Sequence, residues 1–237
     1  MSERLEKLEK IKSLGINPYP EKFVRTHKNK EALAFAEKKG VRETDEVMEK
    51  TDSQIKLCGR MMTFRSHGKL SFAQMQDVSG RIQLCFVKGK TTVSGLKVPL
   101  RGQGGVFVAE EKPQASSPKT QEISDYKFIE KLIDLGDHIG VRGELFKTNH
   151  GEITLFVEEV TFLGKALRDL PEKFHGVTDQ ETIYRQRYLD LIMNPDTQKR
   201  FRQRSEIVRY FRHYLEDKDF MEVETQVLTN KASGALA

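Results

Sequence analysis

Apolar residues recur every three or four positions in the first part of the chain, which is the spacing of amphipathic helices. The pattern predicts helices over 3–14 and 28–39, and each stretch is followed by a glycine, a residue that commonly ends a helix. From Ile55 the period changes to two, which is typical of half-buried strands. Residues 1–53 are therefore predicted to be a helical extension that precedes a sheet.

Several later stretches show the alternation of strands, and a helical stretch lies among them. Strands are predicted over 55–61, 71–77, 81–87, 138–146 and 152–162, with a helix over 126–134 between the third and the fourth. Three strands, a helix and two strands are the order of the oligonucleotide-binding (OB) fold, a five-stranded and partly open barrel. Another kind of small β-barrel fits the same order. The fold class is predicted to be α+β.

Composition marks two connecting regions. Residues 89–125 hold several glycines, serines and prolines, which favours a mobile insertion within a barrel domain that spans 54–164. Residues 165–178 follow the last predicted strand and include Pro171, so they are predicted to be a linker.

The last part of the chain, 179–237, returns to helical spacing. Asp179 is predicted to cap a helix over 182–192, and Asp196 is predicted to cap a long helix over 197–217. The basic residues of the long helix fall mainly outside its apolar stripe, which consists of Phe201, Val208, Phe211 and Leu215.

Composition and residue spacing argue against some classes of protein but do not indicate one function. The net charge of +5 permits a nucleic-acid partner but does not require one. No apolar run approaches the ~20 residues of a membrane helix, and the N-terminus lacks the apolar core of a secretion signal. Cys58 and Cys85 lie in predicted strands without a CxxC pair or a histidine cluster, so they are predicted to be free thiols in a reducing cytoplasm. The histidines show no metal-ligand spacing, and no metal site is predicted.

The second predicted strand carries an aromatic residue among polar ones. Alternation places Ala73 and Met75 on one face and Phe72, Gln74 and Gln76 on the other. OB-folds bind single-stranded nucleic acid on the face of strands two and three, where aromatic side chains stack on bases. Phe72 is therefore a candidate stacking residue, although packing under a loop or a neighbouring domain would produce the same pattern.

Three polar residues are expected near Phe72. Gln83 on the neighbouring strand can both donate to and accept from a base edge. Arg65 and Lys69 flank the same end of the strands and are candidates for contacts to phosphates or bases.

Sequence motifs over nearly the whole chain, apart from 89–125, resemble class II lysyl-tRNA synthetases. The motifs are NPYPEKF at 17–23, GRMMTFRSHGKLSF at 59–72, QDVSGRIQL at 76–84, LGDHIGVRGELFKTNHGEIT at 135–154, KALRDLPEKFHGVTDQETIYRQRYLDL at 165–191 and FMEVET at 220–225. The run from LPEKF to YLDL distinguishes the lysine enzymes from the related aspartate and asparagine enzymes. The resemblance implies an anticodon-binding OB barrel followed by the truncated start of a class II catalytic domain.

The resemblance also implies an activity and a set of partners. Enzymes of this family use ATP and magnesium to form lysyl-adenylate and then transfer the lysyl group to tRNA, and they act as cytoplasmic homodimers. Phe72 matches the aromatic residue that stacks on an anticodon base, and Gln83, Arg65 and Glu152 match polar residues near the same bases. Glu152 is a candidate through the resemblance alone. Neither a DNA nor a membrane partner is expected.

The region after 179 resembles the first of the three class II motifs. In the family, this motif forms the dimer interface, which implies that role here for Phe201, Val208, Phe211, Leu215 and Phe220. Gln226 stands where the family has a proline, and Gly234 matches a loop that approaches the substrate lysine.

The sequence contains neither motif 2 nor motif 3, which bind ATP in the family. These residues alone are therefore not expected to aminoacylate tRNA, and no catalytic residue is predicted among them. Two other functions fit the chain: a free-standing OB module that binds tRNA without catalysis, and a general single-strand-binding OB protein.

Overall fold

Residues 2–39, 54–96, 123–171 and 177–228 are described in the computed structural model of the chain. They belong to two compact units, which divide after Leu170. The first unit contains the sheet, and the second is helical.

Two helices lie in the described stretch 2–39 before the sheet, as predicted. Helix α1 spans Ser2–Ser13 and helix α2 spans Asn29–Lys39. Leu8 and Ile11 of α1 are buried at a spacing of three, and Ala32 and Ala36 of α2 are buried at a spacing of four. Each helix therefore packs one apolar stripe, as the sequence spacing requires.

Between 54 and 170, the described residues of the first unit form six strands and one helix. They are β1 (Ile55–His67), β2 (Leu70–Gln76), β3 (Arg81–Val87), β4 (Thr92–Val93), α3 (Asp125–Leu132), β5 (His138–Lys147) and β6 (Ile153–Gly164).

Five of the strands close into a ring. The sheet order is β3-β2-β1-β5-β6-β4, and a parallel pairing of β3 with β6 joins the two sides. The other four contacts of the ring are antiparallel. Helix α3 closes the core of the ring, where Phe128 meets Phe162 edge to face with ring centroids 6.3 Å apart. The predicted OB-fold with N-terminal helices is confirmed.

Strand β4 lies inside the predicted insertion 89–125 and was not expected as a strand. Its main chain pairs with β6, and Asp125 accepts a hydrogen bond from the backbone N–H of Val93 at 2.7 Å. Thr91 and Val93 are buried. This part of the insertion is therefore an ordered part of the barrel wall. Residues 97–122 lie outside the described residues.

Residues 177–228 of the second unit contain three helices where the sequence predicted two. Helix α4 spans Gln180–Arg185, α5 spans Arg187–Met193 and α6 spans Pro195–Glu216. The predicted helix over 182–192 is interrupted at Gln186, whose φ of −120° and ψ of 54° are not helical. The cap at Asp179 is confirmed, since its carboxylate accepts a hydrogen bond from the N–H of Thr182 at 2.8 Å.

The predicted cap of the long helix was wrong by two residues. Asn194, not Asp196, occupies the N-cap position of α6, and Pro195 is the first helical residue. Proline is favoured there because the first N–H groups of a helix have no intrahelical acceptor, and its φ is already helical. Pro195 therefore starts α6.

Asp190 fixes the junction between α5 and α6. Its buried carboxylate accepts hydrogen bonds from Arg187 and from the side-chain amide of Asn194, the latter at 2.6 Å. The same amide donates to the carbonyl of Val177 at 3.1 Å. Burial opposes ionisation of Asp190, but these donors outweigh it and lower its pKa below the usual value.

Candidate nucleic-acid interface

The outer face of β2 carries the candidate stacking residue. Ala73 and Met75 point into the core, and Phe72 and Gln74 alternate with them on the outside, half-buried. The predicted division of this strand into two faces is confirmed. Phe72 lies directly opposite Arg65 of β1 in the sheet.

A β-bulge in β1 determines which way Arg65 points. Pairing with β2 runs from Arg60 opposite Gln76 to Arg65 opposite Phe72, with a register shift between Met61 and Thr63. Arg60 and Arg65 are an odd number of residues apart, so a regular strand would place them on opposite faces. The extra residue of the bulge places both on the outer face.

Gln83 and Glu152 form a polar pair beside Phe72. Gln83 lies opposite Gln74 of β2 and beside Thr154 of β6, because β3 pairs with both strands. In the amide orientation that satisfies both groups, the Gln83 nitrogen donates to a carboxylate oxygen of Glu152 at 2.9 Å. Two residues that are far apart in sequence thus meet at the seam where the ring closes.

A tight turn before β6 positions Glu152. Its backbone N–H donates to the hydroxyl of Thr148 at 3.2 Å, and its carbonyl accepts from the Thr148 N–H at 3.0 Å. Gly151 has a φ of +80°, a backbone conformation that residues with a Cβ atom rarely adopt. The strand-face reasoning missed Glu152 because its proximity to Gln83 depends on the parallel β3–β6 pairing, which alternation does not reveal.

Buried side chains lie next to Phe72 on the same outer row. Cys85 of β3 is directly opposite Phe72, and Phe156 of β6 is directly beside Cys85. Both are buried, although neither belongs to the core cluster inside the ring. Burial raises the pKa of Cys85 to about 11, so the thiol is neutral at physiological pH. Phe72 therefore lies in an apolar row with a polar pair at its side.

The remaining predicted residues of this face lie at its edge. Arg65 and Lys69 are exposed, and Lys69 occupies the two-residue turn between β1 and β2. Its partner in the turn, Gly68, has a φ of +70°. Among the described residues, neither Arg65 nor Lys69 forms an ion pair, so both charges are available to a ligand.

The predicted dimer residues of the second unit are all exposed. The exposed fractions are 43% for Phe201, 39% for Val208, 59% for Phe211, 45% for Leu215 and 65% for Phe220. Gly234, the candidate for the lysine loop, lies outside the described residues.

Cys58 and Cys85 are free thiols, half-buried and buried respectively, as predicted. In the part of the chain that the structure describes, no group of three or more metal-ligating side chains comes together. No helix in the same part is long and apolar enough to cross a membrane.

Comparison with known proteins agrees with this geometry. Residues 55–163 match the OB-fold nucleic acid binding domain family, and residues 179–237 match the class II tRNA synthetases for aspartate, lysine and asparagine. The chain is 40% identical over 234 residues to the lysine–tRNA ligase of Chlamydia felis, which covers 99% of this chain. Over 99% of its length the chain is therefore similar to lysine–tRNA ligases, and its two parts match the OB-fold and class II synthetase families.

Other ligases of the family show the same extent of similarity. The lysine–tRNA ligase of Carboxydothermus hydrogenoformans is 41% identical over 99% of the chain, and that of Lactococcus lactis is 41% identical over 100%. The matched region is 39–41% of these ligases. The chain thus spans about two fifths of the length of the ligases that it matches.

Proposed function

We propose that the first unit is the anticodon-binding part of a lysine–tRNA ligase. It would bind the anticodon loop of lysine tRNA on the outer face of β1, β2 and β3. The observation that supports this best is the position of the Gln83–Glu152 pair beside the half-buried Phe72. A single-strand site needs a flat aromatic surface and adjacent polar groups for base edges, and this face has both.

Each residue of the face has a distinct role in this proposal. The Phe72 ring stacks on one base. The Gln83 amide and the Glu152 carboxylate contact the Watson–Crick edge of a neighbouring base, and the carboxylate holds the amide in one orientation. A carboxylate such as that of Glu152 can only accept hydrogen bonds, so it suits a base N–H and would repel a phosphate. Arg65 and Lys69 supply positive charge for the backbone at the edge of the face.

We propose the same division of the chain that the sequence indicates. Residues 1–53 are the N-terminal extension, 54–164 the anticodon-binding domain, 165–178 the linker and 179–237 the start of the catalytic domain. The complete ligase joins lysine and ATP into lysyl-adenylate, releases pyrophosphate and transfers the lysyl group to tRNA. ATP and Mg²⁺ would be bound mainly by catalytic segments other than 179–237, and Gly234 would approach the substrate lysine. The free thiols favour a cytoplasmic location.

Discrimination between anticodons tests the proposed function. The chain is titrated with two anticodon stem-loops that are identical except that cytidines replace the anticodon uridines of one. The uridine loop is expected to bind at least about tenfold more tightly, which corresponds to ~1.4 kcal/mol. The reason is that cytidine replaces the O4 acceptor of uridine with an amino donor. Equal affinities would instead indicate a general single-strand-binding OB protein.

We also propose that a second copy of the chain covers α6, as in a homodimer. The apolar stripe of α6 is exposed over its length, and Phe220 continues the exposed apolar surface after the helix ends. A contiguous apolar surface of this kind is typical of protein interfaces. Lysine-enzyme dimers use the corresponding helix, as the resemblance implies.

Sedimentation of the purified chain tests the dimer. The chain is expected to sediment as a dimer, and Val208→Glu is expected to raise the dimer Kd at least about tenfold, because a charge would be buried in the interface. Tyr184→Glu is the matched control, since Tyr184 is exposed in the same unit but lies outside α6. A wild-type chain that remains monomeric would contradict the proposal.

A further inference from the structure

We propose that the RNA-binding face extends to the opposite end of β2 and β3, where Arg81 contacts a phosphate of the same RNA strand. The inference rests on the proposed anticodon-binding function. It adds a second contact area, the Arg81 row, which consists of Arg60, Gln76 and Arg81.

The register of the sheet connects the Arg81 row to Phe72. Gln76 lies four residues after Phe72 on the same outer face, which corresponds to about 13 Å along a strand. Gln76 is directly opposite Arg81 of β3 and directly opposite Arg60 of β1. The distance is within reach of one bound strand, since an OB-fold binds about 4–16 nucleotides.

Hydrogen bonds hold the side chains of this row on the outer surface. The Nε atom of Arg81 donates to the side-chain oxygen of Gln76 at 2.8 Å. Among the described residues this bond uses one of the five N–H donors of the guanidinium group, which leaves four for a ligand. Arg60 is half-buried and donates to the carbonyl of Gly136 at 2.7 Å. Arg81 is exposed and is therefore the residue of the row that can reach a phosphate.

The bulge in β1 gives the face an arginine at each end. Because of the extra residue between Met61 and Thr63, Arg60 lies in the Arg81 row and Arg65 lies opposite Phe72. The hydroxyl of Thr63 accepts a hydrogen bond from the backbone N–H of Gln74 at 3.1 Å. The bulge is thus bridged to β2 by a side chain, and it keeps both positive charges on the RNA-binding side.

The surroundings of the Arg81 row favour an anion. Arg25 and Lys30 are also exposed near the β2–β3 turn, and the backbone N–H of Lys30 donates to the Ser79 hydroxyl at 2.9 Å. The neighbouring carboxylate, that of Asp77, is only 5% exposed. It accepts hydrogen bonds from the backbone N–H groups of Asn29, at 3.0 Å, and Ser79, at 2.7 Å. Arg25 pairs with this carboxylate at 4.0 Å while 38% of its own side chain stays exposed, so the charge that faces solvent at this turn is positive.

The salt dependence of binding tests the contact. Affinity of the wild type and Arg81→Gln for the uridine stem-loop is measured between about 50 and 200 mM salt. The slope of log K against log salt is expected to fall in magnitude by about 0.7 in the variant, the value for one phosphate contact of a single strand. The affinity loss should be equal for the uridine and cytidine loops, because a phosphate carries no sequence information.

Three further variants separate the explanations. Arg81→Lys should keep the wild-type slope, since it keeps the charge. Arg142→Gln, an outer-face change on β5, should also keep the slope, and an equal decrease there would overturn the proposal as a general charge effect. Phe72→Ala should weaken binding without changing the slope. If it does so while Arg81→Gln leaves the slope intact, the Arg81 contact is refuted and the anticodon function stands. If neither variant has an effect, the proposed function itself fails.

Discussion

Lys165→Met is expected to destabilise the first unit by about 3–5 kcal/mol, the typical cost of removing one partner from a buried ion pair. The side chain of Lys165 is fully buried, and its ammonium group lies 2.8 Å from a carboxylate oxygen of Asp137, which is also fully buried. The same group donates to Asp134 at 2.5 Å and to the carbonyl of Leu132 at 2.7 Å. The substitution leaves the Asp137 carboxylate buried without its counter-ion.

The effect of Lys165→Met should depend on pH. Burial raises the pKa of Asp137 in the folded protein even with Lys165 present, so its ionised form is costly to bury. Removing the ammonium group raises that pKa further. A carboxyl with a raised folded-state pKa destabilises the protein when the pH is above that pKa, and the cost disappears as the pH falls towards the unfolded value of about 3.9. The destabilisation should therefore be large at pH 7 and should shrink progressively below it.

Denaturant unfolding of wild type and Lys165→Met at pH 7 and at about pH 4.5 measures the size of the destabilisation and its pH dependence. The lower pH still lies above the pKa of about 3.9 that an aspartate has in the unfolded chain. Lys7→Met is the matched control. Lys7 contacts Asp134 at 2.7 Å but is 22% exposed, so its loss should cost no more than about 1 kcal/mol. If Lys165→Met lowers the free energy of unfolding by as little as the control does, the stabilising role assigned to the buried ion pair is wrong.

Elements whose own apolar spacing extends over several residues were predicted well. The helices at 3–14 and 28–39 and the strand at 81–87 match α1, α2 and β3 to within one residue, because their apolar spacing is set by the side that they bury. Features that depend on distant partners were not predicted. Strand β4 is only two residues long and exists through pairing with β6, more than sixty residues later.

In the candidate site, too, local features were predicted and features that depend on distant strands were not. Alternation alone placed Phe72 on the face opposite Ala73 and Met75, because that inference needs only the strand to which Phe72 belongs. The strand prediction ended at Met61, and β1 continues to His67, so the sequence could not show that a bulge turns Arg65 outward. Lys165 marked the start of a predicted linker, yet its side chain is anchored in the barrel by carboxylates about thirty residues earlier.

In the proposed function, Phe72 stacks on a base of the lysine anticodon. Phe72→Ala is expected to weaken binding of the uridine stem-loop by ~1–3 kcal/mol, the usual value for one stacked base. The loss of affinity should be much smaller for the cytidine loop. The reason is that the base stacks on Phe72 only when Gln83 and Glu152 also form hydrogen bonds to the edge of the neighbouring base. Phe72→Trp keeps a stacking surface and should retain binding. Val24→Ala is the control, since it removes an apolar side chain that is 65% exposed outside the barrel strands.

The most direct measurement is therefore the affinity of wild type and Phe72→Ala for the two stem-loops at one salt concentration. The account predicts a large loss for the uridine loop, a small loss for the cytidine loop and no change with Val24→Ala. Equal losses for both loops would show that Phe72 has a structural role, and no loss for either would show that it does not contact the RNA; both results would contradict the proposed stacking.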